Sequence, residues 1–193
     1  MARDVTSLAQ SLHAVLRPRG FRKKGARWNR ASGSFVDVID IQKSQWSFSF
    51  TVNCGVFLPS AYTLLWEKQP AKFVSEVSCT VRSRIGGLID DHDLWWDVKQ
   101  ETIPQDVIDD VVTKVEAYVL PFLDGLHSLK AMEAYLVEKQ VAKYGMCPEA
   151  IFLAILICQN GRRDEALALM NDLIERDLWA ERAGAVVERM RQT

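Results

Sequence analysis

The spacing of apolar residues changes once along this chain, near residue 100, and that change constrains the fold more than any other feature. Between Gly20 and Trp96, apolar residues alternate with polar ones, most clearly in the stretch W-S-F-S-F-T-V-N-C at 46–54, which is the pattern of strands that bury one face. After Pro104 they recur every three or four residues, as on one side of a helix. The sequence therefore predicts an α+β protein in which strands precede helices.

About five strands are expected in the first part of the chain. The strongest candidates are 35–42 and 46–54, and the short link between them predicts a hairpin. Weaker candidates lie at 21–23, 27–30 and 77–82. Because few connections of helix length separate these segments, we expect an antiparallel sheet. A first helix, ending before Pro18, and a second, starting at Pro104, are expected to cover it.

The rest of the chain predicts only helices. Apolar spacing and end signals indicate four of them, at 128–143, 148–159, 163–175 and 179–190. The two in the middle are expected to form a helical hairpin, and Pro121 is expected to bend or end the helix that precedes this region. We therefore divide the chain into an α+β domain at 1–125 and an all-helical C-terminal extension at 126–193.

Composition excludes several classes of protein. Hydrophobic residues make up 48% and charged residues 25% of the chain, with a net charge of −1, so a disordered or disulfide-stabilised protein is not expected. Four widely spaced cysteines, with no histidine at zinc-finger spacing, predict neither a metal nor a cofactor. The sequence has no signal peptide and no apolar run of membrane-spanning length, so we expect a cytoplasmic protein that does not contact a membrane.

Three segments in a fixed order point to a family. They are G-F-R-K-K-G at 20–25, then V-I-D-I-Q-K-S at 38–44 running into F-T-V-N-C-G at 50–55, then C-T-V-R-S-R-I-G at 79–86 ahead of L-W-W at 94–96. Together they resemble the bacterial domain of unknown function numbered 4304, over about residues 5–120. That family has no established activity, so the resemblance implies no catalytic residue. Some small bacterial proteins of this general kind are immunity partners of secreted toxins, which implies a protein-binding hypothesis.

The first candidate site is the acidic segment around two adjacent tryptophans. Acidic residues outnumber basic ones by nine to two between residues 86 and 116. Neighbouring residues on a strand point to opposite faces, so one indole can enter the core while the other meets a partner. An exposed tryptophan rimmed by aspartates is typical of a protein-binding hot spot, although core packing of the tryptophans is the alternative. The predicted partner-binding residues are Asp90, Asp91, Asp93, Trp95, Trp96 and Asp97.

The second candidate is basic. Residues 1–35 carry eight basic side chains and one acidic side chain, interleaved with Phe21 and Trp28, a pattern that can hold phosphates and stack bases. Arg82 and Arg84 share a strand face near Gln42 and Lys43 and can hold an anion, unless they pair with Asp37, Asp40 or the acidic segment. The predicted anion or nucleic-acid contacts are Arg22, Lys23, Lys24, Arg27, Arg82 and Arg84.

No catalytic motif emerges from the sequence. There is no G-x-S-x-G, and Gly86-Gly87 lacks the Lys and Ser or Thr of a phosphate-binding loop. The run from Asp40 to Lys43 misses the acid-x-Lys spacing of restriction-type nucleases by one residue. The sequence thus favours a non-catalytic, cytoplasmic protein-binding protein, and the family resemblance suggests one of the immunity type. A nucleic-acid binder that uses residues 17–30 and an unrecognised enzyme are the alternatives.

Overall fold

The computed structural model describes residues 5–98, 102–144 and 148–192, which fall into two compact units. The first, called the sheet unit, comprises the described residues up to Phe57 together with Lys72–Gly125. The second, called the helical unit, comprises Leu58–Ala71 and the described residues from Leu126 onward. The sequence analysis places one boundary at 125 and does not anticipate that Leu58–Ala71 joins the helical unit.

The sheet unit is built on an antiparallel sheet, which confirms the α+β class. Five strands follow one another in the order β1-β2-β3-β4-β5, and a sixth, β6, pairs with the start of β4. Their bounds are β1 (Arg22–Lys24), β2 (Arg27–Ser32), β3 (Phe35–Lys43), β4 (Ser49–Phe57), β5 (Val81–Arg84) and β6 (Trp96–Asp97). Strand β4 therefore has a neighbour on each side, β3 on one and both β5 and β6 on the other.

Two of the predicted strand boundaries are wrong. Strand β4 begins at Ser49, not at Trp46, because the Ser44 hydroxyl accepts hydrogen bonds from the backbone N–H groups of Trp46 and Ser47 and so closes a loop in place of the ladder. Trp46 is consequently 94% exposed and Phe48 is 56% exposed. The segment predicted as a strand at 77–82 begins instead as a short 3₁₀ turn, and β5 starts only at Val81.

Among its described residues the sheet unit also contains four α-helices. They are α1 (Thr6–Leu16), α3 (Gly86–Ile89), α4 (Gln105–Lys114) and α5 (Leu120–Gly125), and α2 belongs to the other unit. Helix α1 packs on α4. Pro121 does not end the last helix, because a π-helical stretch at Val115–Val119 joins α4 to α5. Such wider turns accommodate a residue that lacks an N–H donor.

The helical unit contains the predicted helices and one that was not predicted. Its elements are α2 (Pro59–Trp66), α6 (Leu129–Glu138), α7 (Val141–Tyr144), α8 (Glu149–Gln159), α9 (Arg163–Glu175) and α10 (Ala180–Gln192). Helix α8 is buried on all sides from Ala150 to Ile157 and packs against α2, α6, α7 and α9, which is why its sequence is apolar all round. The predicted helix at 128–143 is split at Gln140, whose φ is +52°. No strand occurs among the residues that the structure describes after Pro104.

The two faces of the sheet differ in chemistry. One face carries the apolar core, with Trp28, Ile39, Val52 and Val56 all fully buried. The other face carries polar residues that stand side by side across the strands, among them Arg27, Asp40, Asn53 and Arg84. The polar face cannot be recognised from the alternation of residues in β4, because this strand is buried along both faces from Phe50 to Phe57.

One charged pair lies on the core face. The Arg30 guanidinium donates to the fully buried Asp37 carboxylate at 2.7 Å, reaches Asp124 with a second nitrogen, and lies 4.6 Å from the centroid of the Phe21 ring. A buried carboxylate that loses its cation keeps an uncompensated charge, which is strongly unfavourable.

We therefore expect Arg30→Ala to lower the free energy of unfolding by about 3–5 kcal/mol, measured by urea denaturation. The matched control is Arg27→Ala, whose half-exposed pair with Asp40 is expected to contribute about 1 kcal/mol or less. Equal losses in the two variants would show that the Arg30–Asp37 pair does not stabilise the sheet in this way.

Candidate functional site

Arg84 organises the polar face of the sheet. It stands in register with Asn53 on β4, and its Nε–H donates to the Asn53 Oδ1 at 3.3 Å. Its Nη1–H donates to Asp93 Oδ1 at 2.5 Å, and its Nη2 lies 3.4 Å from the Gln42 Oε1. Gln42 also accepts from the Asn53 Nδ2 at 2.7 Å. Arg84 thereby ties β3, β4 and β5 to the loop that carries Asp93.

Trp95 completes this arrangement. Its indole N–H donates to the Asp93 Oδ2 at 2.9 Å, and the Arg84 guanidinium lies 5.1 Å from its ring centroid. The hydrogen bonds from Arg84 and Trp95 lower the pKa of Asp93, so this carboxylate stays ionised in neutral solution. We call these five residues, Gln42, Asn53, Arg84, Asp93 and Trp95, the Arg84 cluster. Arg84 thus pairs with the acidic segment, which is one of the alternatives to anion binding that the sequence offers.

Arg82 and Arg27 also face carboxylates. The Arg82 Nε–H donates to the buried Glu76 Oε1 at 2.7 Å, and Arg27 lies 3.3 Å from Asp40. Burial is the main reason that the pKa of Glu76 and that of Asp40 are raised, against the opposing attraction of the two arginines. Arg27, Arg82 and Arg84 thus each have a carboxylate partner, which is the alternative to an open anion site. Arg22 and Lys24, which the register places on the same face at β1, are exposed.

Glu76 reaches this position because of Gly55. A Cβ atom at residue 55 would lie 2.6 Å from the Val81 carbonyl oxygen and 2.8 Å from the Cys79 Cβ. Only a residue without a side chain lets the chain around Cys79 lie directly on β4. The same kind of close approach occurs at Gly86, where an added Cβ would overlap the His92 carbonyl oxygen. Gly86 therefore holds the loop that carries Asp90, Asp91 and Asp93.

The two aromatic residues of the basic N-terminal segment are not available to stack bases. The aromatic residues expected to stack bases are in the core, since Trp28 is fully buried and Phe21 nearly so. Arg22, Lys23 and Lys24 make up β1, which is an edge of the sheet. Charged residues on an edge strand prevent the pairing of sheets from different molecules, and this role accounts for their positions.

The two adjacent tryptophans take different environments. Trp96 is 8% exposed, stacks on Phe50 with ring centroids 5.5 Å apart, and donates its indole N–H to Asp110. It supplies core packing and offers no exposed anchor, while Trp95 is half-buried in the Arg84 cluster. The remaining predicted residues, Asp90, Asp91, Asp93 and Asp97, are exposed. We call these four aspartates the acidic edge.

Two exposed aromatic side chains lie where the sequence predicts the apolar face of a strand. Trp46 and Phe48 stand on the loop between β3 and β4, and we call this pair the aromatic tip. Asp97 is paired with Ser49, and the Val98 N–H donates to the Phe48 carbonyl oxygen at 2.9 Å. The aromatic tip therefore adjoins the acidic edge. The signal available in the sequence was the serine-rich loop around Trp46, where Ser44 and Ser47 favour a turn over a strand.

The requirements of a metal site, a reactive thiol and a membrane-spanning helix can also be compared with the described residues. No three His, Cys, Asp or Glu side chains there are grouped to hold a metal ion. Burial raises the pKa of the Cys54 and Cys79 thiols, which keeps them protonated and poorly nucleophilic. Cys147 lies outside the described residues. No helix in the described part of the chain is long and apolar enough to cross a membrane.

The raised pKa of Glu76 predicts a particular pH dependence. Because the folded state keeps its proton at pH values where the unfolded state has lost it, this group favours folding at low pH, and the benefit disappears as pH rises above about 4.5. We expect the free energy of unfolding of the wild type, minus that of Glu76→Gln, to fall as pH rises from about 4 to about 7. Urea denaturation across this range measures it. A difference that grows with pH would mean that the attraction of Arg82 outweighs burial.

Comparisons with known proteins assign a family to the part of the chain that contains the sheet unit. No curated protein and no solved structure matches the chain. One family model does match, over residues 12–125, more than half of the chain. That span includes the Arg84 cluster, the acidic edge and the aromatic tip, and it ends where the helical unit resumes. The chain belongs to the family described as Domain of unknown function (DUF4304).

Proposed function

We propose that this protein binds a basic protein partner through the aromatic tip and the acidic edge, and that it does so in the cytoplasm without catalysing a reaction. The observation that carries the proposal is the 94% exposed Trp46 side chain on a loop that ends at Ser49, directly opposite the exposed Asp97 of the acidic edge. Phe48, two residues further on, is also exposed, and adjoining exposed apolar side chains are a feature of protein-binding surfaces.

The aromatic tip has the properties of an anchor. Tryptophan provides a large contact area, loses few rotamers on binding, and is enriched among the residues that dominate interface affinity. Phe48, 56% exposed, extends the apolar surface next to Trp46. The loop is also held at both ends, by the Ser44 hydroxyl and by the hydrogen bond from Val98 to Phe48. Such preorganisation lowers the entropy lost when a partner binds.

The acidic edge supplies the charge complementarity. Asp97 lies opposite Ser49 and Arg84 lies opposite Asn53. The four intervening steps along β4 span roughly 14 Å, well within a surface of the ~800 Å² that one partner contributes to a typical interface. The negative charge of the acidic edge speeds the approach of a basic partner and repels the phosphates of nucleic acid.

The partner class we favour is a bacterial toxin, for which this protein acts as the immunity partner. A toxin that acts on nucleic acid must hold phosphates with basic side chains, and an acidic protein surface is complementary to that basic surface. The experiment is to identify the gene next to this one, to produce its toxin-like product, and to measure binding by titration. Strong, salt-sensitive binding supports the proposal, and no binding to that product contradicts the immunity role.

The role of the aromatic tip is tested by Trp46→Ala. We expect the loss of the anchor to cost about 2 kcal/mol of affinity, or about thirtyfold in Kd. Tyr118→Ala removes another exposed aromatic residue of the sheet unit and is expected to leave Kd unchanged. Equal effects of the two changes, or none from Trp46→Ala, would place the interface elsewhere.

The role of the acidic edge is tested by Asp97→Lys. Because steering acts before contact, we expect slower association with a nearly unchanged dissociation rate, and the effect should fade at high salt. Glu175→Lys on α9 makes the same change in net charge in the helical unit and serves as the control. Stopped-flow kinetics separates the two rates. An association rate that both variants reduce equally would show only a net-charge effect.

A further inference from the structure

The helical unit contains an open cavity that the proposed function does not use. Its volume is about 660 Å³, and it lies between the end of α2 and the start of α10. Segments far apart in the sequence meet there. The side chains that matter are Trp66, Glu67, Asp177, Trp179, Glu181 and Arg182.

The aromatic walls already hold one cation. The rings of Trp66 and Trp179 meet edge to face, with centroids 5.8 Å apart and an angle of 68° between their planes. The Arg182 guanidinium lies 5.1 Å from the centroid of the Trp66 ring. Trp179 is 43% exposed, and within the described part of the chain no cation lies over its ring. The ring of Trp179 is therefore open to a second cationic group.

Charge in the cavity also favours a cation. Glu67, Asp177 and Glu181 are exposed at its rim, while Arg182 is the one basic residue among those lining it, which leaves a formal charge of −2. Glu67 is engaged by Arg189 at 2.6 Å, whereas the other two carboxylates flank Trp179 in the sequence. An anion would meet this negative charge and an uncharged ligand would gain nothing from it.

Three of the residues that line the cavity have unfavourable backbone conformations. Glu67, Asp177 and Trp179 have φ values of +52°, +54° and +53°, a region that L-residues seldom occupy and that is a true outlier for a bulky aromatic residue. Strain of this kind concentrates at ligand sites, where it fixes the positions of the groups that bind.

We propose that this cavity binds the arginine side chain of a peptide, with the guanidinium stacked on Trp179 and paired with the carboxylates of Asp177 and Glu181. Arginine fits better than lysine, because its planar guanidinium stacks on an indole and presents paired N–H donors to a carboxylate. The stacking of Arg182 on Trp66 shows the same contact within the chain. This site is separate from the interface of the sheet unit and does not depend on it.

The test uses the full chain and a fluorescent heptapeptide of alternating glycine and arginine, followed by anisotropy at low salt. The comparison peptide carries citrulline, the uncharged isostere, in place of arginine. We expect saturable binding of the arginine peptide and at least roughly tenfold weaker binding of the citrulline peptide. Equal binding of the two peptides, or no binding up to millimolar concentrations, would overturn the proposal.

Variants locate the bound peptide. Trp179→Ala and Glu181→Gln are each expected to weaken binding at least roughly fivefold, and circular dichroism checks that both are folded. Because Glu181 is exposed, the Glu181→Gln variant is expected to fold and can test the site even if Trp179→Ala unfolds. Tyr144→Ala and Glu175→Gln, changes in the same unit outside the cavity, should have no effect. Loss of binding in Trp46→Ala or Asp97→Asn, with none in the cavity variants, would place the peptide on the acidic edge and refute this site.

Discussion

The pairing of β4 on both sides is the constraint on which the sheet unit depends. This strand is buried from Phe50 to Phe57 and forms ladders with β3, β5 and β6. Because it has neighbours along both edges and packing on both faces, its register determines which side chains of the other strands stand together. Gly55 adds a further condition, since the chain around Cys79 can lie on β4 only where no Cβ intervenes.

That register decides the electrostatics of the polar face. Asp40, Asn53 and Arg84 lie in one row across three strands, and Arg84 continues the row to Asp93. Arg82 is matched by Glu76 and Arg27 by Asp40, so these two positive charges are neutralised within the molecule. Asp97 of the acidic edge and the aromatic tip lie beside the start of β4, so exposed aromatic area and a carboxylate adjoin there.

The two units carry distinct chemistry. The family match covers the sheet unit, whereas the cavity with Trp66 and Trp179 belongs to the helical unit and draws on both of the segments that compose it. Helix α2 leaves the sheet unit after β4 and packs on α8 and α10. Because Leu58–Ala71 belongs to the helical unit, Trp66 and Glu67 lie next to Trp179, although the two segments are far apart in the sequence. The cavity forms between these segments.

The sequence by itself determined the five successive strands, the antiparallel sheet, the change to helices after Pro104 and the family, because periodicity and local motifs are properties of neighbouring residues. It did not determine that Trp46 is exposed, because the alternating pattern around Trp46 is that of a strand. The hydrogen bonds that the Ser44 hydroxyl accepts place Trp46 in a loop instead. Nor did the sequence show which arginines are paired, that Trp28 is buried, or that α2 joins distant helices. Those outcomes depend on contacts between residues far apart in the sequence, which only the folded chain brings together.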